Sequence, residues 1–259
     1  MGNRAAAIGI SWAVIVTVSL GAQAPSAPST AAPPTVSRLG GFIRANPPSG
    51  PVPRLADGKP DLRGAWLGGW VGDISRSLAK GETITLLPGV KMLPRISGSG
   101  DDPITNCIAQ APPRARGGYP WRIVMEPPMA FFIWEVLHDW RQVFMDGRPH
   151  PPDLDPTWYG HSIGRWDGDT LVVDTVGFND KVWLSNTGYP STDKLHTIER
   201  HTRTDLGTLE IEITVDDPGA YAKPFKVAST ARLMPNEELM EYICNENNQD
   251  IPLLIQIGR

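Results

Sequence analysis

Residues 162–176 read SIGRWDGDTLVVDTV, and this stretch decides the fold. Alternating apolar and polar residues flank Asp167-Gly168. A two-residue Asp-Gly loop between such runs is a strong hairpin signal, because both turn residues need positive φ and these two adopt it at low cost. Two strands follow, Ser162 to Trp166 and Thr170 to Val176. Val172, Asp174 and Val176 share one face of the second, and Leu171, Val173 and Thr175 share the other.

Working outward, the same period of two recurs between short turns. Trp121 to Met125 alternates until Pro127-Pro128. Met129 to Leu137 is an aromatic-rich apolar run that reads as a buried strand. A tight bend at His138-Asp139 leads into Arg141 to Phe144, and Ala65 to Val71 adds a strand near the start. Downstream come Leu195 to Thr204, Thr208 to Val215, Phe225 to Leu233 and Leu239 to Cys244. Turns at Asp205-Leu206-Gly207, Asp216 to Gly219 and Met234 to Glu237 separate them. Only Ile74 to Gly81 could form a helix, and a short one. Residues 82–120, rich in proline, read as a long excursion over one end.

About ten strands joined by turns rather than crossover helices predict an all-β fold. An antiparallel meander closing into a barrel removes every exposed sheet edge. A two-sheet β-sandwich is the alternative.

The 259 residues suffice for one large domain with its own core. Arg4 and then AAAIGISWAVIVTVSLGA read as a signal peptide over residues 1–22, in preference to a retained membrane anchor. Residues 23–56, rich in Pro, Ala and Ser, read as an extended linker. The barrel domain is then 57–259, expected in the periplasm or secreted. Its two cysteines, Cys107 and Cys244, form either one disulfide or two buried thiols. A net charge of −4, from 24 basic and 28 acidic residues without a basic run, argues against nucleic acid as a partner. No later apolar stretch reaches membrane-spanning length.

There is no Gly-x-Gly-x-x-Gly after a strand, no Walker loop, no Gly-x-Ser-x-Gly and no His-Glu-x-x-His. That leaves dinucleotide enzymes, P-loop enzymes, α/β-hydrolases and zincins without support. No organic cofactor is implied. The histidines show no tight ligand spacing, so no metal is assigned.

Chemistry must come from polar groups at strand ends and loops. The candidates are His138 and Arg141 after the bend; His150 and His161 on either side of a proline-rich stretch; Asp174 in the hairpin; and His196, Glu199 and Arg200 in a later strand. Asp174, beside valines, is expected inside the barrel with Arg200 or His196 as partner. His138 or His196 would take a proton, Asp174 or Glu199 would orient it, and Arg141 or Arg200 would stabilise negative charge. His161 is expected to face the same cavity as His138 and His196, with His150 closing over it. Trp140, Trp158 and Trp183, with Asn179, are the candidate walls for a flat ligand. His201 reads as an ordinary hydrogen-bonded strand histidine.

The run from Trp140 to Asp180, WRQVFMDGRPHPPDLDPTWYGHSIGRWDGDTLVVDTVGFND, together with DGKPDLRGAW, LHTIERHTR and DDPGAY, resembles a family of exported bacterial proteins with a lipocalin-like β-barrel. The resemblance implies a barrel and an export route. It carries over no catalytic residue.

The resulting expectation is an exported barrel that binds a small, partly aromatic or alicyclic molecule at its open end. Acid–base chemistry of the lyase, isomerase or hydrolase kind would act there. The alternative is a non-catalytic binding or envelope scaffold module whose histidines are structural.

Overall fold

A computed structural model describes residues 47–69, 71–93, 102–108, 112–114, 119–244 and 246. The expected signal peptide and most of the linker lie outside them. Nine strands close into one barrel in sequence order: β1 (Gly64–Gly68), β2 (Trp121–Glu126), β3 (Met129–Trp134), β4 (Trp140–Phe144), β5 (His161–Asp167), β6 (Thr170–Val176), β7 (His196–Arg203), β8 (Thr208–Asp216) and β9 (Phe225–Leu233). Closure is made by β1 against β9, with Trp66 opposite Leu233 and Gly68 opposite Ala231. The Asp-Gly hairpin is β5–β6, in register from His161–Val176 to Asp167–Thr170.

Two expectations change. Leu239 to Cys244 is not a strand. Instead it straps the β3–β4 corner: Met240 N donates to Glu135 Oε2 at 2.8 Å, and Cys244 is disulfide-bonded to Cys107. Secondly, the barrel is not antiparallel throughout. β4 and β5 run parallel, Val143 opposite Ser162 and Phe144 opposite Ile163. Parallel neighbours cannot be joined by a tight turn, because the chain must return to the end it started from. Residues 145–160 make that return across the outside of the barrel.

Alternation sends one set of side chains inward. Trp121, Phe132, Trp134, Leu171, Val173, Ile213, Phe225 and Val227 are buried in a single core cluster, so the interior is packed rather than hollow. The end bearing Gly64 is closed by Trp66, whose Nε1 donates to Leu62 O at 3.1 Å. The Arg203 guanidinium lies 5.0 Å over that indole and donates to the Asp61 and Leu206 carbonyls. A Cβ on Gly64 would meet Leu233 Cδ1 at 2.8 Å, in a backbone with φ of +136°. Glycine is required there to let β1 close on β9. Segments 71–93 and 177–195 cover the other end with buried Val71, Ile74, Leu184 and Leu195. The described tail of the expected linker also touches the barrel: Leu206 N donates to Gly50 O at 2.9 Å, and Arg54 pairs with Asp169 at 2.7 Å.

Through this apolar core runs one ionic cluster. Arg141 from β4 meets the Glu199 carboxylate from β7 in a two-point contact of 2.5 and 3.1 Å, and His201 Nε2 lies 3.0 Å from the same carboxylate. All three are 2 % exposed or less. The guanidinium sits 4.9 Å over the Phe132 ring, and His201 packs 5.2 Å from that ring. Desolvating the pair is expensive, and only mutual contact offsets it. Arg141→Met should therefore cost about 3–5 kcal/mol, the usual consequence of stranding a buried charge. The double variant Arg141→Met/Glu199→Gln should recover most of that in urea unfolding. No recovery would mean that the arginine acts through packing alone.

Candidate functional site

The returning segment 145–160 contains Pro149, Pro151, Pro152 and Pro156, which donate no backbone hydrogen bonds. Backbone hydrogen bonds of Met145 N to Pro128 O and Thr157 N to Gly177 O hold its ends, and side chains fix the stretch between them. His150 lands on the outer face of β5–β7 and bridges two groups: Nδ1 lies 2.8 Å from His161 Nδ1, and Nε2 lies 3.2 Å from Asp174 Oδ1. His196 Nε2 contacts the same oxygen at 2.8 Å.

Strand register explains the convergence. His161 pairs with Val176, Ile163 with Asp174, and Asp174 with Ile198. His161, Asp174 and His196 thus stand on three adjacent strands of one face, and His150 is laid over them. Asp174 keeps its valine neighbours, but this face is the outside, contrary to the expectation of an interior carboxylate. Leu171, Val173 and Thr175 point inward. On the outer face Val172 stands between Arg165 and Arg200, and His150 of the returning segment lies over Asp174.

Proton positions follow from the contacts. The carboxylate only accepts, so His150 Nε2 and His196 Nε2 each carry a hydrogen toward it. A neutral His150 then accepts at Nδ1 from His161 Nδ1–H, which leaves the lone pair of His161 on Nε2. The order Asp174, His150, His161 is a relay ending in a basic nitrogen.

Electrostatics set His161 and His196 apart. Burial, with the neighbouring His150 and Arg148, holds His161 below the ordinary imidazole range. The hydrogen bond to Asp174 outweighs burial at His196 and raises it. Asp174 is lowered, chiefly by that same bond.

Phe144 and Arg148 complete the surroundings. The Phe144 ring stacks on His161 with centroids 5.2 Å apart, and the Arg148 guanidinium lies 4.1 Å over the same phenyl ring. Trp140, on the same face of β4, is 59 % exposed and rests against Phe131 at 6.2 Å. Alternation along β4 and the position of Arg148 beside His150 were the sequence signals for both residues.

The remaining expected residues fall elsewhere. His138 does not join the other histidines: with Leu137 it makes a left-handed corner, and its Nε2 accepts from Tyr242 N at 2.8 Å. Arg141 and Glu199 are on the inner side of the wall. Arg200 pairs with Asp167 at 2.9 Å, not with Asp174. Trp158 packs against the core, and Trp183 is 9 % exposed. Asn179 Oδ1 caps Lys181 N at 3.1 Å in a local turn. A reading of polar and aromatic residues at strand ends and loops puts them around an open barrel end, whereas the described interior is packed with Trp121, Phe132, Trp134 and Phe225.

Two shallow depressions accompany the barrel. One, of about 280 Å³, holds Ile133, His138 and Met240. Its polar groups Glu135 and His138 are taken by the backbone of the 239–244 strap. The other, of about 420 Å³, lies over Arg200, Thr202, Glu210 and Ser229. Neither contains the outer histidines, and the chemistry of the side chains is a stronger guide to the site than concavity. Among the described residues no group of three or more His, Cys, Asp or Glu side chains is arranged to hold a metal ion. Compared with protein-family models, with curated proteins and with solved structures, the chain gives no match.

The opposed shifts fix a titration order. In an NMR pH titration His196 should protonate above the ordinary value of about 6.5 and His161 below it. Asp174→Asn should bring His196 down toward His161. The linked stabilities have opposite signs. His196, raised, contributes stability below its unfolded pKa that is lost as pH rises through its folded pKa. Asp174, lowered, contributes stability that is lost as pH falls through its folded pKa. His161, also lowered, destabilises the fold progressively below about pH 6.5.

Proposed function

We propose that this protein is an exported acid–base catalyst whose working group is His161 Nε2, backed by His150 and Asp174 on the outer wall of the barrel. The single observation that carries the reading is the hydrogen-bonded series Asp174–His150–His161, with separations of 3.2 and 2.8 Å. A passive surface has no need of a relay. A base that must return its proton gains from one, because charge arriving on His161 can pass to His150 beside a carboxylate.

In this scheme a neutral His161 Nε2 takes a proton from a small, partly aromatic or alicyclic substrate. Its Nδ1 proton shifts toward His150, and Asp174 stabilises the imidazolium so formed. His196, held to Asp174 from the other side, keeps that carboxylate ionised and fixed. The depressed basicity of His161 favours the unprotonated form at neutral pH and eases proton return. Lyase and isomerase chemistry both fit this acid–base cycle.

Export rests on the signal-like residues 1–22 and agrees with the Cys107–Cys244 disulfide, since such bonds persist in oxidising compartments. Among the described residues no helix is long and apolar enough to cross a membrane.

Incubation of the protein with a bacterial metabolite extract in D2O provides the test. Mass spectrometry should find at least one metabolite that gains carbon-bound deuterium faster than without protein. His161→Ala should abolish the gain. The variant should lose about 1 kcal/mol, as a partly buried residue on the outer wall. Absence of any protein-dependent exchange, or exchange unaffected in a folded His161→Ala variant, would exclude the proposed base.

A further inference from the structure

We propose that residues 241–243 form an acid-released latch on the β3–β4 corner: protonation of His138 frees the Tyr242 amide, and the segment swings out between two ties that remain, Met240 on Glu135 and Cys244 on Cys107. The latch is separate from the outer histidines and stands whether or not His161 is a base.

Side chains of the corner, not strand pairing, hold the strap. Met240 N donates to Glu135 Oε2 and Tyr242 N to His138 Nε2, each at 2.8 Å. A carbonyl oxygen, the usual partner of a backbone amide, accepts at any pH. An imidazole nitrogen accepts only while it is unprotonated. Nε2 of His138 has one lone pair, so a proton and the Tyr242 amide compete for it, and the charged ring turns an N–H toward an N–H. Closure therefore belongs to the neutral ring and release to the imidazolium. Met240 N does not share this acceptor and keeps Glu135.

Access and backbone favour this use. His138 is exposed, whereas Glu135 is only 4 % exposed, so solvent protons reach the imidazole directly. Leu137 and His138 both adopt left-handed backbone, with φ of 64° and 51°. Side chains of this size keep that conformation only where their neighbours hold it, and the Tyr242 amide is one such hold. Little else resists release. Of residues 241–243 only Tyr242 is half-buried, its ring 5.3 Å from that of Tyr119, and Ile243 is already 49 % exposed. So little buried apolar surface adds only weakly to the hold.

The titratable groups about His138 are Glu135 and Asp139 on its own corner, Glu241 and Tyr242 on the strap, Tyr159, whose hydroxyl donates to Asp139 at 2.9 Å, and Tyr119 beyond Tyr242. The carboxylates among them, where ionised, favour the imidazolium and so favour release. The moving part includes Glu241, which lines the depression of about 280 Å³ together with Ile133 and Trp134. Acid thus opens one wall of that depression. The Cys107–Cys244 bond keeps the freed segment close, so that it closes again when the proton leaves.

The test follows the whole protein, disulfide intact, by NMR from about pH 8 to about pH 5, the range in which histidines change charge. The Tyr242 amide signal should move with the same midpoint as the His138 ring, and the Met240 amide should not follow it. His138→Asn keeps a residue suited to left-handed backbone but has a shorter side chain without an imidazole. At about pH 8 the Tyr242 amide should exchange with solvent about tenfold more slowly in the wild type than in this variant, and at about pH 5 the two should exchange alike. If the variant does not fold, the wild-type titration decides alone. A Tyr242 amide that ignores the His138 titration, a response that persists in His138→Asn, equal exchange at both pH values, or a Met240 amide that moves in step with Tyr242 would each overturn the latch.

Discussion

The parallel pairing of β4 with β5 is the constraint on which the arrangement of this protein depends. Eight of the nine neighbouring strand pairs are antiparallel, and one reversal would leave the barrel unclosed in sequence order unless the chain doubled back. Residues 145–160 do so, over the outer wall. Backbone hydrogen bonds tie its two ends, Met145 N to Pro128 O and Thr157 N to Gly177 O, and across the proline-rich middle side chains hold it down: His150 on His161 and Asp174, Arg148 on Phe144, and Tyr159 with its hydroxyl 2.9 Å from Asp139. A tight hairpin at this point would have placed none of them there.

The wall between β5 and β7 carries polar groups on both sides, and the two sides have different physics. Inside, Arg141, Glu199 and His201 are excluded from water and packed under Phe132. Their charges are neutralised by one another, which makes the cluster a device for holding β4 to β7 across the core. Outside, His150, His196 and Asp174 are 20–37 % exposed. Water can reach them, so protons can leave and return. The inner cluster is shut off from water, whereas the outer one sets a lowered His161 against a raised His196.

Closure at one end by Trp66 under Arg203, and at the other by segments 71–93 and 177–195, accounts for the packed interior. Trp121, Phe132, Trp134 and Phe225 fill the lumen, so that among the described residues the hydrogen-bonded group of His150, His161, His196 and Asp174 lies on the outer wall. The returning segment supplies there what a barrel mouth would otherwise provide, namely a second layer of side chains over a strand surface.

Nine of the strands and the hairpin were legible in the sequence, because period-two alternation and an Asp-Gly turn are local properties, but Leu239 to Cys244 carried the same pattern and is a strap. The sequence also determined which residues share a face, so that Asp174 with its valines, and His196 with Arg200, were grouped as they are found. It could not say which face was inside. Both sides of β6 carry valines, and the segment expected to bring His150 over the site does so on the outer wall and not at a barrel mouth. The contact of Asp174 with His196 was legible as one of two alternatives, since both lie on one antiparallel pair, whereas the hydrogen bonds of His150 to His161 and Asp174 were not, because they depend on a parallel pairing that no local pattern encodes. His138, Arg141, Glu199, Trp158 and Trp183 were candidates for the same reason that they are buried or strapped: polar and aromatic residues at strand ends serve closure as readily as chemistry. Only the tertiary structure, by fixing the path of residues 145–160, decided between these uses.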